Sequence, residues 1–534
     1  MDATVVAIAD DHDDSDCRRP LLAQNEEIHL YTEPPNRQHP PLDAAATQLE
    51  EQRKPERVAS LDVFRGFTVA MMILVDDAGG AWPGINHAPW FGVTVADFVM
   101  PAFLFIIGVS AALVFKKMAN KTAATKKAAI RASKLFILGV ILQGGYIHGR
   151  HKLTYGVDLD HIRWLGVLQR IAIGYFVAAM SEIWLVNNNL RIAIGYFVAA
   201  MSEIWLVNNN LRIAIGYFVA AMSEIWLVNN NLVDSPVPFV NKYFIEWFMA
   251  IAITVLYVAL VFGLYVANWE FEIQTSNSTL SIPSNSIETK MIQCGVRGSL
   301  GPPCNAVGLV DRVLLGENHL YKNPVYKRTK ECSINSPDYG PLPPNAPDWC
   351  LAPFDPEGLL STLMAVVTCF VGLFFGHVLI HCKNHSQRML IWLLASVVLT
   401  ISAYLVLLLG MPFSKPLYTV NYMLLTGGVS GFLLLLLYYI VDVIHIKKPF
   451  VLFQWMGMNA LIVYVLAACE LFPTLIQGFY WRSPENNLVD VTESLLQAIF
   501  QSKRWGTLVF VLLEIVFWCL AAGFLHMKGV YLKL

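Results

Sequence analysis

Charge is scarce in this chain. Asp, Glu, Lys and Arg make up 15% of its 534 residues, against about 25% in a soluble globular protein. Neither sign dominates, and a formal net charge of −2 leaves no electrostatic case for nucleic acid as a partner. Cysteine is sparse too: nine residues do not make a disulfide-built scaffold at this length. A P-loop, a GxSxG elbow, an HExxH motif and a dinucleotide fingerprint are all missing, so no reading as an NTPase, α/β-hydrolase, zincin or Rossmann oxidoreductase has a motif behind it. Residues 1–57 have no apolar stretch of the kind a signal peptide needs, so no cleaved leader is expected.

What is abundant is apolar. Hydrophobic residues reach 55% and the mean hydropathy is +0.49. Too many long apolar runs are present to be core helices of one soluble domain. They fall near 60–78, 91–115, 131–148, 164–186, 244–267, 359–380, 389–409, 420–441, 451–471 and 505–525. Each is long enough to cross about 30 Å of hydrocarbon as a helix. The expected fold is all-α, a polytopic transmembrane bundle of about ten spans with the lipid bilayer as its first partner. Residues 1–57, acidic and then Pro-rich, are expected to form a disordered cytosolic tail. Residues 58–534 form the membrane domain. Asp16–Leu22 is similar to an acidic dileucine sorting signal with one extra residue, or is a chance Leu-Leu in a tail.

The unit RIAIGYFVAAMSEIWLVNNNL occurs three times in tandem, at 170–190, 191–211 and 212–232, letter for letter. Packed structural repeats drift in sequence, so identity points to a very recent duplication or an assembly error. Charge along the chain constrains the extra copies at 191–232. The link after the second span holds Lys116, Lys117, Lys121, Lys126, Lys127, Arg131 and Lys134, a cytosolic mark. Alternation from there puts both termini in the cytosol and residues 270–357 outside. The third link, with Arg150, Lys152 and Arg163, lands outside and fits less well. The extra copies must add zero or two spans, giving ten or twelve, because one would invert every loop downstream.

The outside loop 270–357 carries four cysteines, Cys294, Cys304, Cys332 and Cys350. They are enough for two disulfides in any of three pairings. Metal binding by the four is the weaker reading, since CxxC spacing is absent. Asn277-Ser278-Thr279 is a glycosylation sequon on the same side.

Ionisable residues in or beside spans are costly and often functional. Asp62 and Arg65 stand at i, i+3, able to pair as a structural ion pair or to wall a ligand site. Asp76-Asp77 end the first span, and Asn86-His87-Ala88-Pro89-Trp90 follows behind two glycines. An imidazole at such a boundary can take a proton or an acyl group near neutral pH, or simply be solvated. Asp97 either packs in its span or joins the same site. Glu182, Glu246, Glu470 and Glu514 are acids in the spans, Gln169-Arg170 opens the fourth, and His148, His151 and His161 gather near one link without metal-site spacing.

Seven ordered motifs carry a resemblance: SLDVFRGFTVAMMILVDDAGG, NHAPWFGVTVADFVMPAFLFIIGVS, LGVLQRIA, CNAVGLVDRVLLGENHLY, FDPEGLLST, NYMLLTGG and WMGMNALIVYV. Together they make roughly 58–534 similar to the heparan-α-glucosaminide N-acetyltransferase family, most of all to plant members without a large luminal domain ahead of the first motif. The resemblance implies a membrane acetyltransferase that takes acetyl from cytosolic acetyl-CoA and passes it to a luminal amine. The family's active-site His falls on His87. Its partner in animal members is an Asn whose counterpart by spacing is Asp76, a departure. The family mechanism is described both as an acetyl-His intermediate and as direct transfer with His as base. Asp62, Arg65, Asp97, Asp311, His319 and Asn459 are expected at the site wall. Lys116, Lys117, Arg131 and Lys134 are expected near the CoA phosphates, where the positive-inside rule also accounts for them. No metal is expected. Since plants are not expected to make heparan sulfate, the acceptor is expected to be another amine-bearing glycan or small molecule. The resemblance leaves room for a homodimer and for a vacuolar, lysosome-like or plasma membrane. The rival reading is a transporter or channel without transfer chemistry, which would show inverted repeats between its halves; none is evident.

Overall fold

The computed structural model describes residues 58–82, 84–115, 120–143, 162–184, 243–276, 285–321, 323–468 and 471–531. The expectations for 1–57, Lys116, Lys117, His148, His151, His161, the repeat beyond Trp184, Asn277 and Glu470 lie outside these residues.

Helices dominate. In chain order they are α1 (Ala59–Ala78), α2 (Val99–Phe115, entered through a one-turn 3-10 helix, Val95–Phe98), α3 (Lys121–Gln143), α4 (Val167–Trp184) and α5 (Phe244–Gly263). The segment between α5 and α7 contains α6 (Ala306–Leu315), and α7 (Leu359–His381), α8 (His385–Leu408) and α9 (Val420–Tyr438) follow. The chain ends with α10 (Val451–Met458), α11 (Ala460–Val463), α12 (Leu471–Gln477), α13 (Leu488–Ile499) and α14 (Lys503–Met527).

Each apolar run of the sequence coincides with a helix, but six helices among the described residues are long and apolar enough to cross a membrane on their own. They are Val95–Phe115, α5, α7, α8, Val420–Val443 and α14. A seventh crossing is available if α10 and the helix that begins at Ala460 count as one span, bent by 72°. Six of the expected ten, or seven with the bent pair, meet this measure among the described residues. The shortfall has a chemical cause. α1 carries Asp62, Arg65, Asp76 and Asp77; α3 carries five Lys and Arg; α4 carries Arg170 and Glu182. Such charge is tolerated where neighbouring helices cover it, and Asp62, Arg170 and Glu182 are buried.

The bundle centres on α7 and α2, which lie side by side. Of their apolar windows 83% and 67% are buried, against 17% in α8 and 28% in α5 and α14. α8 instead turns a ladder outward, with Leu390, Leu394, Val398, Ile401, Leu405 and Leu408 all exposed. A stripe of this kind is unstable in water and at home in lipid. The chain is a multi-pass membrane protein.

Small residues set the closest helix crossing. A Cβ on Gly66 of α1 would stand 1.8 Å from the Phe453 carbonyl oxygen, and one on Gly457 of α10 would stand 1.8 Å from that of Asp62. The α1 and α10 backbones touch there, as membrane helices do at small residues.

The segment between α5 and α7 corrects the all-α expectation. β1 (Tyr265–Val266) pairs antiparallel with β4 (Val296–Arg297), and β2 (Trp269–Ser276) with β3 (Asn285–Ile292), from Trp269↔Ile292 to Ser276↔Asn285. Cys294 pairs with Cys304 and Cys332 with Cys350, the Cα atoms 5.5 Å apart in each. Phe271, Ile292 and Ala352 form a small core beside them.

Candidate active site

Three loops meet at one end of the bundle: residues 84–94 between α1 and α2, residues 410–419 between α8 and α9, and the segment between α5 and α7. Gly92 N donates to the Phe413 carbonyl at 2.9 Å. Trp90 Nε1 donates to the Leu300 carbonyl at 2.9 Å, and its ring meets those of Phe354 and Tyr326 edge-on at 5.1 and 5.7 Å. Aromatic burial of this kind locks the loops together.

His87 sits at the meeting point. Its Nδ1 lies 2.8 Å from Asp97 Oδ1. Asp97 occupies the 3-10 turn that opens the second span and is fully buried. Its other oxygen accepts from Ala88 N, Thr94 N and Thr94 Oγ1 at 3.2, 2.9 and 3.0 Å. Tyr422 OH donates to the Asp97 backbone carbonyl. The carboxylate is thereby fixed in place and faces one ring nitrogen. An ionised carboxylate can only accept, so Nδ1 carries the proton and Nε2 keeps its lone pair. Lys415 Nζ stands 3.0 Å from each ring nitrogen. Burial, and then the Lys415 charge, hold the His87 pKa below its ordinary value, against the pull of Asp97. The ring is thus neutral near pH 7, and with 29% of its side chain accessible it can be reached. A neutral, oriented, accessible imidazole beside an ammonium is equipped to accept a proton or to attack a carbonyl.

Behind Lys415 lies a second charged layer. Arg163 Nε and Nη2 donate to Asp355 at 2.7 and 2.5 Å, and Nη2 also to Glu357 at 2.5 Å. Burial works against the Glu357 carboxylate, but Arg163, Arg170 and Lys415 outweigh it and hold its pKa down to about 2. Arg170 Nη2 donates to the Pro356 carbonyl and to Ser361 Oγ at 2.8 and 2.6 Å. Asp311 Oδ1 accepts from Leu359 N at 2.8 Å, while burial pushes its pKa up to about 7.

The residues expected at a site therefore divide into groups. His87 and Asp97 are in contact. Asp76 is exposed at the end of α1, and its charge reaches Lys415. Asp311 belongs to the layer with Asp355 and Arg170. His319 Nδ1 lies 2.7 Å from the Ile162 carbonyl. Asp62 and Arg65 pair at 3.4 Å toward the other end, where Arg65 also donates to Ser110 Oγ at 3.0 Å. Arg65, Ser110, Arg131 and Tyr175 line a common cleft there, with Arg131 stacked 5.0 Å over the Tyr175 ring. Lys134 is exposed on α3 and is not among its lining residues. Asn459 is buried at the break after α10, with its Nδ2 3.5 Å from the Ala522 carbonyl of α14.

Sequence reasoning passed over Lys415, Asp355 and Glu357 as site residues, and treated Arg163 only as a charge on the wrong side. The signal was present: Lys415 and Arg163 both sit in links where the positive-inside rule leaves cations unexplained.

A family model described as the catalytic region of heparan-alpha-glucosaminide N-acetyltransferase matches residues 57–279. That stretch holds His87, Asp97, Arg65, Arg131 and Arg163. The human heparan-alpha-glucosaminide N-acetyltransferase is 26% identical over 482 residues, 87% of this chain and 60% of its own length. The mouse protein is 26% identical over 492 residues, 88% of this chain and 62% of its own. The chain thus spans about three-fifths of the length of these curated relatives. The ordered motifs, the family model and the similarity over most of this chain agree in relating it to the heparan-alpha-glucosaminide N-acetyltransferase family.

Proposed function

We propose that the chain is a membrane-embedded acetyltransferase that moves acetyl from acetyl-CoA to an amine, in the first instance of an amino sugar, with His87 as general base. The observation that carries this is the Asp97–His87–Lys415 arrangement. The acceptor nitrogen attacks the thioester carbonyl, its proton passes to His87 Nε2, the C–N bond forms and the C–S bond breaks as CoA thiolate leaves. Asp97 holds the tautomer and balances the imidazolium that forms. Lys415 is placed to stabilise the negative charge that develops on the carbonyl oxygen. Attack by His87 itself, giving an acetyl-imidazole, uses the same lone pair and the same partners.

The Arg65–Arg131 cleft supports a route for the donor. Ser110, beside Arg65, lies about 20 Å along one helical run from Asp97. CoA phosphates held by the two guanidiniums would keep the nucleotide at the lysine-rich, cytosolic face. The pantetheine arm would reach toward His87 on the luminal side, in an endomembrane or the plasma membrane. Asp76, Asp311 and His319 would face the acceptor.

The test is CoA release from acetyl-CoA by purified protein in detergent, with and without amino-sugar acceptors, wild type against His87→Ala. Acceptor-dependent release abolished by the substitution supports the proposal. Folded wild-type protein that neither binds acetyl-CoA nor releases CoA overturns it and favours a transporter.

A further inference from the structure

We infer that Glu182, Glu246 and His377 form a binding site for a borderline divalent cation of the Zn2+ type, which joins three helices away from the reacting end. The three residues come from separate elements: the last turn of α4, the first turn of α5 and the distal part of α7. Their side chains are 5%, 6% and 1% exposed. His377 Nε2 lies 2.6 Å from Glu182 Oε2, and Nδ1 lies 3.7 Å from Glu246 Oε2. One donor atom from each residue fits within 4.8 Å of the others.

Charge makes the case. Among the described residues no Lys or Arg forms an ion pair with either glutamate. With both glutamates ionised and His377 neutral the cluster would hold two negative charges, and with imidazolium one in excess. Each buried, uncompensated carboxylate costs several kcal/mol. A divalent cation neutralises both and takes up the imidazole lone pair. A second observation points the same way: Glu246 Oε1, buried within the cluster, has no hydrogen-bond partner.

The donor set selects the ion class. One imidazole and two carboxylates suit Zn2+, Mn2+ or Fe2+, whereas Ca2+ and Mg2+ prefer oxygen alone and Cu(I) prefers sulfur. Ligands about 2.1 Å from a tetrahedral ion stand about 3.4 Å apart, so the closest His–Glu contact need open by less than about 1 Å. The imidazole plane is already set. The Tyr243 ring stacks on it at 3.6 Å, and Tyr243 OH lies 2.7 Å from His381 Nε2. Outer support of this kind orients metal-binding histidines. His377 lies about 27 Å along α7 from Leu359, at the end away from His87. This departs from the expectation of no metal, and it stands whether or not the transfer reaction does.

The experiment uses full-length protein purified without a polyhistidine tag. Metal content is measured by elemental mass spectrometry, and thermal unfolding is followed with chelator and after adding back Zn2+, Mn2+ or Fe2+. About one ion per chain is expected. Its removal should lower the unfolding temperature by several degrees, reversed by the matching ion. Glu246→Gln and His377→Gln should lose the ion at least 5-fold and the response to it. If a variant does not fold, the wild-type depletion and add-back arm decides alone. Wild-type protein that carries no ion and gains no stability from any of the three overturns the inference in favour of a shared proton.

Discussion

Replacing Asp97 with Asn separates the orienting role of the carboxylate from its structural one. Three donors, Ala88 N, Thr94 N and Thr94 Oγ1, converge on one Asp97 oxygen. An Asn side chain must keep its carbonyl oxygen there, because an NH2 group would face three hydrogens. Its NH2 is then directed at His87 Nδ1, 2.8 Å away in the wild type. That nitrogen must accept, the ring proton moves to Nε2, and the lone pair that serves as base is lost. Fixing the wrong tautomer lowers turnover by about 10^3–10^4, or about 4–5.5 kcal/mol of barrier. Folding should lose only about 1–2 kcal/mol, since most of the hydrogen bonds survive. Acetyl-CoA turnover with a saturating acceptor, alongside thermal unfolding, measures both. The KM for acetyl-CoA should hardly change. Activity of Asp97→Asn within threefold of wild type would refute the assignment of Nε2 as the base.

Four further outcomes are expected. Lys415→Met should lower kcat by about 10^2 through loss of charge stabilisation. Because His87 titrates below its ordinary value partly on account of Lys415, the wild-type rate should hold down past about pH 6.5 and fall below it, and the variant's acid limb should move to higher pH. Arg131→Ala should raise the KM for acetyl-CoA about tenfold, some 1.4 kcal/mol, with little change in kcat. Asp311, with its pKa pushed up to about 7, is protonated more readily folded than unfolded, so wild-type stability falls as pH rises from about 4 through 7. Asp311→Asn should match wild-type stability near pH 4 and exceed it near pH 8, by a few kcal/mol, read from denaturant melts at the two pH values. The double variant Cys332→Ser, Cys350→Ser should lose about 3 kcal/mol of stability, read in a denaturant melt against wild type.

Much of this molecule is legible from hydropathy, because a helix in lipid must bury its backbone within itself and cover its surface with apolar side chains. That is why every apolar run coincides with a helix. The same logic says less about α1, α3 and α4, where Asp62, Arg170 and Glu182 are covered by neighbours that no local window can see. It fails for the β2–β3 hairpin, whose strands read as ordinary polar loop. The pairing of four cysteines depends on tertiary proximity, so the sequence left three arrangements open. At the site, the resemblance pointed to Asp76 as the partner of His87, with Asp97 open as a packing or site residue, and the folded chain sets Asp97 against the ring. Periodicity on one helix says nothing of which loop folds back over it. Lys415 and Arg163 were visible only as cations in links where membrane topology does not call for them. His377 had no local signal, since one His in an apolar helix gains meaning only from the acids of two other helices.

The cluster of Glu182, His377 and Glu246 also bears on the tandem repeat. Glu182 closes the helix before residues 185–242, and Glu246 opens the helix after them; both meet one histidine. The intervening chain therefore leaves and re-enters the bundle at nearly one point. Its length can change without displacing either anchor, and doubling it costs about 0.6 kcal/mol of closure entropy if it is flexible. The two anchors fix where residues 185–242 begin and end, whatever the number of copies between them.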